Sequence, residues 1–589
     1  MIKILRYLRT IDILYITLVL IFVVTGVWLD LTMPDYMKEI IVLIKTPGSL
    51  TSEILVQGGW MLACCIGSLV CTVIVSFFGA KIGSGLSRTL RKNIFQKVGN
   101  FSKDEINQFS IPSLITRSTN DITQVQTSFI MGIQVIIKAP ILATWAIIKI
   151  LNTSLTWSMI TLIAVVLILV FIIIIMLQVV PRFKRVQKEI DGVNSIAREN
   201  ITGIRVVRAY NAEEYQENKF KTVNDQLMHT QLANGRTFAF MFPYMSLILN
   251  SLTLAIYWVG AFLIKDTVGI LNQVDLFANM VIFSSYAMQV ISAFIMLTMV
   301  FMILPRAQVS ANRILDVLNT ESSLKNGDFA APTREKGTIK FSSVSYKYPD
   351  AEEAVICDIN FNIKKGQTVA FIGSTGSGKS TLINLVPRFY DATKGKITID
   401  GKDIKDYDID ALHNKIAYVP QKPIIFEGTI KSNIAYGAVG NKVFTKKDIE
   451  RAVKLSCSEE FVLSKEGKYD SVVEQNGNNL SGGQKQRLSI ARAIARNPEI
   501  IIFDDSFSAL DYRTDKTLRD NLNIHLKDTT KLIVAQRIGT IKNADQIIVL
   551  DEGKIVGMGT HQELLKTCEV YLEIAESQFT EEEITNELK

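Results

Sequence analysis

The stretch QTVAFIGSTGSGKSTLINLV, Gln367 to Val386, decides how the C-terminal half of this chain folds. Gly373, Gly378, Lys379 and Ser380 stand in the spacing GxxxxGK[ST], after an apolar strand and before a helix-like run, which is the context a P-loop requires. Glycines at these positions let backbone N–H groups close around phosphate oxygens, and the following helix turns its positive N-terminus toward them. Gly373, Ser374, Thr375, Gly376, Ser377, Gly378 and Thr381 are therefore read as nucleotide-binding. Lys379 is the cation for the terminal phosphates, and the Ser380 hydroxyl is a ligand for Mg²⁺.

A second apolar strand, EIIIFDD (Glu499–Asp505), completes such a site. Asp504 ends a buried strand at the carboxyl edge of the sheet, where open α/β sheets bind ligands, and is read as a further Mg²⁺ ligand. Asp505 stands where a carboxylate would activate a water. Further on, NLSGGQKQRLSIARAIARNP opens an amphipathic helix with Ser481, Gly482, Gly483 and Gln484 and stops it at Asn497–Pro498. That is a second anion-binding helix N-terminus, about a hundred residues from the first. One P-loop needs only one of them; a second chain docked head to tail would use both.

Upstream the composition changes. Long apolar runs, each of bilayer-spanning length, occupy about 11–33, 54–80, 128–151, 156–181, 237–264 and 275–305, the third interrupted by Lys138 and Lys149. Six spans put both termini on one side. Lys3, Arg6 and Arg9 precede the first span, Lys81, Arg88, Arg91 and Lys92 follow the second, and Arg182, Lys184, Arg185 and Lys188 follow the fourth. By the positive-inside rule that side is the cytoplasm of a cell membrane. The net charge of +7 is thus topological and carries no reading of nucleic-acid binding.

The opening MIKILRYLRT has no cleavable secretory pattern; a short interfacial helix and an ordinary charged flank to the first span are its two readings. The six cysteines lack metal spacing and are read as reduced thiols. Lys138 sits at a depth where a charge is costly; a local ion pair or snorkelling competes there with contact to substrate.

The segments 81–127 and 182–236 repeat apolar residues at helical spacing with few Gly or Pro. They are expected to form long cytoplasmic arms, each reaching about 35–40 Å below the membrane at 1.5 Å per residue. Their tips are expected near Thr116–Gln124 and Ile204–Glu214. The expected domains are a membrane domain over 1–320, a nucleotide-binding domain over 337–575 and an acidic tail over 576–589.

The order P-loop, VPQKPIIFEGTI, LSGGQ, FDDSFSALD and AQR resembles the ATP-binding cassette (ABC) transporters, and the likeness covers the whole chain. With six N-terminal spans it resembles an exporter half-transporter of the multidrug type. The implied fold is a six-helix membrane domain of the type I/type IV exporter kind, followed by an α/β P-loop domain. The resemblance implies that Tyr348 stacks on adenine and that Gln421 links Mg²⁺ and the γ-phosphate to the membrane domain. Ser481 and Gly483 would contact ATP on the opposite subunit, and Asp511 would lie in the loop coupling the two sites. The implied partners are a second half-transporter, membrane lipid and a small lipophilic substrate; the implied cofactors are ATP and Mg²⁺.

Two positions depart from the family pattern. The family usually has Asp-Glu where this chain has Asp504-Asp505, and a histidine where it has Gln536. The four histidines, His229, His413, His525 and His561, all lie elsewhere. Asp is shorter than Glu by one methylene, about 1.5 Å, and a misplacement of that order costs roughly a hundredfold in a positioned reaction. Gln536 can hydrogen-bond a phosphate oxygen but cannot become an imidazolium. Both changes strike hydrolysis and leave nucleotide binding intact, so the expectation is a heterodimer. This chain's own site would be degenerate, and its LSGGQ would complete the partner's hydrolytic site. A homodimer with slow ATPase, a lipid flippase, a peptide exporter, an importer on the same fold and a membrane-anchored regulator are the alternatives. Met and Phe residues of spans five and six (Phe240, Met241, Phe242, Met245, Met280, Phe283, Met288, Met296, Met299) suit a promiscuous apolar surface and are candidates for substrate contact, while packing against other helices or lipid is the expectation for most of them.

Overall fold

The computed structural model describes residues 2–46, 48–151, 155–267, 269–349, 351–437 and 444–588. The side chains of Phe242 and Met299 lie outside the described ones. The chain divides into two compact units, residues 1–99 with 112–320, and residues 100–111 with 321–589.

The first unit is all helix: α1 (Thr10–Lys45) and α2 (Thr51–Gly99), then, beyond the helix α3 (Lys103–Phe109) of the other unit, α4 (Ile111–Thr116), α5 (Ile122–Leu151), α6 (Leu155–Thr202), α7 (Ile204–Ala209), α8 (Glu213–Asp266) and α9 (Ile270–Asn319). Among the described residues six helical stretches are long and apolar enough to cross a membrane. The 54 residues of α8 extend about 80 Å at 1.5 Å per residue, well over twice the roughly 30 Å of hydrocarbon in a bilayer. The same element therefore serves oil and water, which is why its sequence turns from apolar to charged without a break in helical spacing.

Small residues let these helices approach. A Cβ at Gly260 in α8 would collide with Met280 of α9, and one at Gly83 in α2 would press on Ile130 of α5. Packing without bulk is what drives helix association where lipid is as apolar as leucine. The core they close holds Trp157, Phe283, Tyr286, Val27 and Ile82. Met241, Met245, Met280 and Phe283, candidates for substrate contact, are buried in helix packing, whereas Phe240 and Met288 are exposed.

The intramembrane charges are paired. Lys138 Nζ lies 3.2 Å from Asp30 Oδ2 and Lys149 Nζ 2.6 Å from Asp35 Oδ2, so α1 and α5 are joined twice. Tyr286 donates to Asp35, and Ser68 to Asp30. Lys138 is held by a local ion pair.

The first arm departs from expectation. The chain breaks over residues 100–110, not 116–124. Ser102 caps α3 in a reciprocal box with Glu105, Phe101 stacks on Phe109, and Ser110 turns the chain with φ 61°. Arg117–Asp121 is a π-helical turn inside the returning helix. Residues 100–111 also group with the C-terminal unit and not with a membrane domain running unbroken over 1–320. In the second arm, the break lies at Gly203 and at Tyr210–Ala212, around α7.

The second unit carries two main sheets. One is antiparallel, in the order β2-β1-β4-β5, from β1 (Ile339–Tyr346), β2 (Ile356–Ile363), β4 (Lys394–Ile399) and β5 (Lys402–Asp403). The other is in the order β12-β11-β3-β10-β9-β6, from β3 (Thr368–Gly373), β6 (Ile416–Val419), β9 (Ile500–Asp504), β10 (Thr530–Val534), β11 (Gln546–Asp551) and β12 (Lys554–Gly559). Its strands from β11 to β6 pair in parallel, with β12 antiparallel at one edge. A short pair, β7 (Gly428–Thr429) and β8 (Val472–Val473), completes the unit. Every residue of β9 and β10 is buried, as a parallel sheet covered on both faces demands. The expected acidic tail is folded: Thr580 hydrogen-bonds Glu583 at the start of a helix over Glu581–Leu588, and Ile584 is buried in the core.

The charge pairs make a test. Asp30→Asn should strand the Lys138 ammonium and lower stability by roughly 1–3 kcal/mol, less than for a fully buried pair because the partners are 29 % and 24 % exposed. Adding Lys138→Met should recover most of the loss. Thermal unfolding of the full chain in lipid nanodiscs reads both; equal damage from the single and double variants would show that the pair is not what holds α1 to α5.

Candidate nucleotide site

Four strand ends deliver the site. β3 leads into the P-loop, β6 into Gln421, β9 into Asp504 and Asp505, and β10 into Gln536; β3, β10, β9 and β6 are neighbours. The P-loop packs its back against the sheet. A Cβ at Gly373 would collide with the Leu550 carbonyl of β11, and one at Gly378 would meet Ile356 at 2.7 Å. Its front is open: Ser374, Thr375 and Gly376 are exposed, and a Cβ at Gly376 would meet nothing within 4 Å. Lys379 Nζ donates to the Gly373 and Ser374 carbonyls at 2.9 and 2.6 Å and to Ser377 Oγ at 3.2 Å. Burial pushes its pKa down, opposed by Asp505 and Asp504. An open glycine-rich front with a partly desolvated lysine behind it fits a polyphosphate.

The Ser380 hydroxyl donates to Asp504 Oδ1 at 2.9 Å, and the Tyr418 hydroxyl donates to Oδ2 at 3.0 Å. Hydroxyl and carboxylate side by side are hard oxygen donors of the kind Mg²⁺ takes. Burial and the Asp504 charge raise the Tyr418 pKa, so Tyr418 stays a donor.

Asp505 is different. Its φ of 47° lies in the left-handed region, which costs a non-glycine residue about a kcal/mol or more. The bend turns the chain off β9 and aims the carboxylate into the site. There one oxygen, Oδ2, accepts from Gln421 Nε2 and from Gln536 Nε2, both at 3.1 Å. Burial raises the Asp505 pKa; the Gln421 hydrogen bond opposes this, and the Asp504 charge adds to it.

Tyr348, half-buried, sends its hydroxyl to within 3.0 Å of Thr381 Oγ1 and stands edge-on to Tyr346 and Tyr390. Residues 100–111 reach the same cluster: Lys103 Nζ lies 5.7 Å from the Tyr390 ring centre, and Glu105 accepts from Ser323 N at 3.0 Å.

The P-loop, Tyr348, Gln421, Asp504, Asp505 and Gln536 thus form one connected group. Ser481, Gly482, Gly483, Gln484 and Asp511 form another. Ser481 caps the helix Gly482–Ala495 in a reciprocal box with Gln484, Asp511 caps Tyr512–His525, and a Cβ on Gly483 would lie 3.6 Å from Ala509 O. The Thr514 N–H holds the Asp511 pKa down. Among the described residues no hydrogen bond joins the two groups. Sequence reading missed Tyr418 and Tyr390; both look like ordinary aromatic core, and only long-range contacts give them their place.

A P-loop domain that binds ATP, joined to six membrane-crossing helices, defines an ATP-coupled, multi-pass membrane transporter. Residues 16–294 match the ABC transporter transmembrane region and residues 356–508 the ABC transporter domain. An uncharacterized ABC transporter ATP-binding protein of Mycobacterium tuberculosis is 38% identical over 532 residues, 90% of each chain. An ATP-dependent lipid A-core flippase of Pseudomonas savastanoi pv. phaseolicola is 32% identical over 492 residues, 83% of this chain and 80% of that one. The fold superposes on the structure of a bacterial Atm1-family ABC exporter with ATP bound at a TM-score of 0.81, with 23% identity, covering 96% of this chain and 99% of that one. This chain belongs to the ABC transporter family and joins an ABC membrane domain to an ATPase domain, which makes it an ATPase-coupled transporter.

The raised Asp505 pKa carries a sign. A carboxyl held above its ordinary value stabilises the fold only while protonated, and that contribution is lost as pH rises through its folded pKa. At neutral pH the ionised Asp505 therefore costs stability. Asp505→Asn should raise the unfolding midpoint of the nucleotide-free protein at pH 7. The gain should shrink toward pH 4. A lowered midpoint would mean that the charge itself holds the site together.

Proposed function

We propose that this chain is the degenerate-site half of a heterodimeric exporter of lipophilic compounds, with its termini and ATPase domain in the cytoplasm. The observation that carries the reading is the clasp on Asp505: the oxygen that would accept a proton from water already accepts from two amides. Gln536 neutralises no developing charge, and the carboxylate is a methylene short.

Binding is provided for separately. The P-loop N–H groups from Gly373 to Thr381 receive the phosphates of ATP, Lys379 offsets their charge, and Tyr348 offers its ring to the adenine. Ser380 and Asp504 hold Mg²⁺, with Gln421 beside them. When bound, the metal supplies positive charge against the phosphate oxygens. Ser481 and Gly483, with Asp511 nearby, serve the nucleotide on the opposite subunit. ATP shifts the membrane domain only by binding the closed pair more tightly than the open one.

For the substrate, α1, α2, α5 and α9 enclose a cavity of about 190 Å³ lined by Phe22, Gly26, Cys71, Gln134, Lys138 and Met296. Walls that are mostly apolar, with Thr72, Ser76, Gln134 and the ion-paired Lys138 as their polar groups, suit an amphiphile. That feature and the likeness to a lipid A-core flippase support a second reading, a lipid flippase of the same architecture. Stimulation of ATPase activity by lipid headgroup variants against stimulation by lipophilic dyes, in nanodiscs, separates the two.

Purified alone, the chain should show ATPase activity at least tenfold below that of its complex with a partner. Asp505→Glu with Gln536→His should raise it about a hundredfold. Strong activity from the unmodified chain alone, abolished by Asp505→Asn, would overturn the proposal. In the complex, Lys379→Ala should weaken nucleotide binding at this site and leave turnover, whereas the corresponding lysine of the partner should be indispensable. Equal loss from both would indicate two equivalent sites.

A further inference from the structure

The turn before the helix Glu581–Leu588 reaches back to the nucleotide site. After the helix Glu569–Glu576 the chain folds over itself, with Gln578 and Phe579 N–H groups donating to Ala575 O at 3.0 and 2.8 Å. Phe579 packs on the core that also buries Ile584. From this anchored turn the Gln578 side chain makes two hydrogen bonds to one loop. Its Oε1 accepts from Ile538 N at 2.9 Å, and its Nε2 donates to Gln536 O at 2.8 Å.

These two bonds bracket Arg537 and fix the peptide units next to Gln536. The Ile538 N–H opens the short helix Ile538–Ile541, whose cap residue Arg537 supplies no side-chain bond. It would be an orphan helix donor without Gln578. On the strand side the loop is tied by Ala535 N to Phe371 O at 3.2 Å, and beyond it Arg519 donates to Thr540 O at 3.3 Å. Between these ties the loop borders a cavity of about 330 Å³ lined by Tyr512, Asp515, Arg537 and Thr540 together with Gln578 and Phe579. Space is available for the loop to shift once Gln578 lets go. The Gln536 side chain on this loop is the one that reaches Asp505 at 3.1 Å.

We propose that Gln578 is a positioning residue for Gln536: the C-terminal turn sets where the Gln536 amide stands beside Asp505, and thereby how strongly this site prefers ATP to ADP. The inference rests on the reading of Gln536 as the group that faces the γ-phosphate. It assigns a role in the nucleotide site to a segment that lies forty residues beyond it in the chain and whose composition marks it as an acidic tail.

The test is a double-mutant cycle on the full-length chain in lipid nanodiscs, reading the ratio of Mg-ADP to Mg-ATP dissociation constants by displacement of trinitrophenyl-ATP. Gln536→Ala should lower the preference for ATP. Gln578→Ala should lower it about three- to tenfold, the range for losing one or two hydrogen bonds, and should add nothing in the Gln536→Ala background. Gln578→Glu keeps an acceptor for Ile538 N–H, retains the packing and sets an oxygen against Gln536 O; it should lower the preference as well. Should Gln578→Ala and Gln578→Glu leave the preference intact while Gln536→Ala lowers it, the proposal fails and the reading of Gln536 stands. Losses that add in the double variant would also overturn it, because Gln578 would then act on the fold alone. If Gln536→Ala itself changes nothing, both the reading and the proposal fall.

Discussion

The nucleotide site follows from one constraint, the burial of a parallel sheet on both faces. β9 and β10 present no exposed residue on either side, so no polar group can sit along them without losing its hydration, at a cost of about 1–3 kcal/mol for each unsatisfied group. Polar chemistry is pushed to the strand ends. Parallel pairing then places those ends at one edge, because each strand must be re-entered from the far side through a crossover. The P-loop, Gln421, Asp504, Asp505 and Gln536 are widely separated in sequence and meet because β3, β6, β9 and β10 are neighbours in one sheet. The signature Ser481 belongs to no strand end of this sheet, and it stands apart from the first group.

Within that edge the two aspartates are treated in opposite ways. Asp504 continues the strand and receives two hydroxyl donors, one on each oxygen. Asp505 leaves the strand through a left-handed turn and has one oxygen doubly engaged by amides. A residue that is buried, conformationally strained and charged is carried at a cost to stability, and such positions are kept where they position chemistry or binding. Here the strain aims a carboxylate at two side chains from two different loops. Gln421 and Gln536 are thereby tied to each other through Asp505. In a site with this composition Asp505 works as a connector between loops, whatever remains of its capacity as a base.

Legibility in the sequence tracked the range of the interaction. The P-loop, the Asp504-Asp505 pair and LSGGQ are local: spacing alone fixes the backbone geometry that makes them work. The spans were legible because a bilayer demands uninterrupted apolar length. The first arm was misread because TRSTNDITQ has the composition of a loop. In the structure its hydroxyls bond back along the helix, Thr116 to Pro112 O, Thr119 to Ile115 O and Thr123 to Thr119 O, which satisfies them without breaking it. The true break, GNFSKDE, carried its own signal in the Ser102–Glu105 capping box. Lys138 could not be explained from its own span, since Asp30 lies 108 residues away. Tyr418 and Gln578 act through contacts of the same long-range kind. The acidic run at the C-terminus hid one buried contact, Ile584, that gives the last helix a face to pack.

Residues 100–111 group with the ATPase unit although the chain on both sides of them belongs to the membrane unit. The segment is covalently continuous with α2 at Gly99 and with α4 through Ile111 and Pro112, two helices of the membrane unit. Within the ATPase unit, Glu105 is bound to Ser323 and Lys103 lies over Tyr390. Tyr390 touches Tyr348, and Tyr348 is bonded to Thr381 at the start of the P-loop helix. Within the ATPase unit the contacts of residues 100–111 thus run side chain by side chain to the start of the P-loop helix. Contact alone does not make this a transmission route; a free-energy difference between two arrangements must bias it. The open front of the P-loop is where a ligand would introduce such a bias. Ligand there changes the charge around Lys379, and everything bonded to that loop must be re-satisfied in the new arrangement or lose its hydrogen bonds.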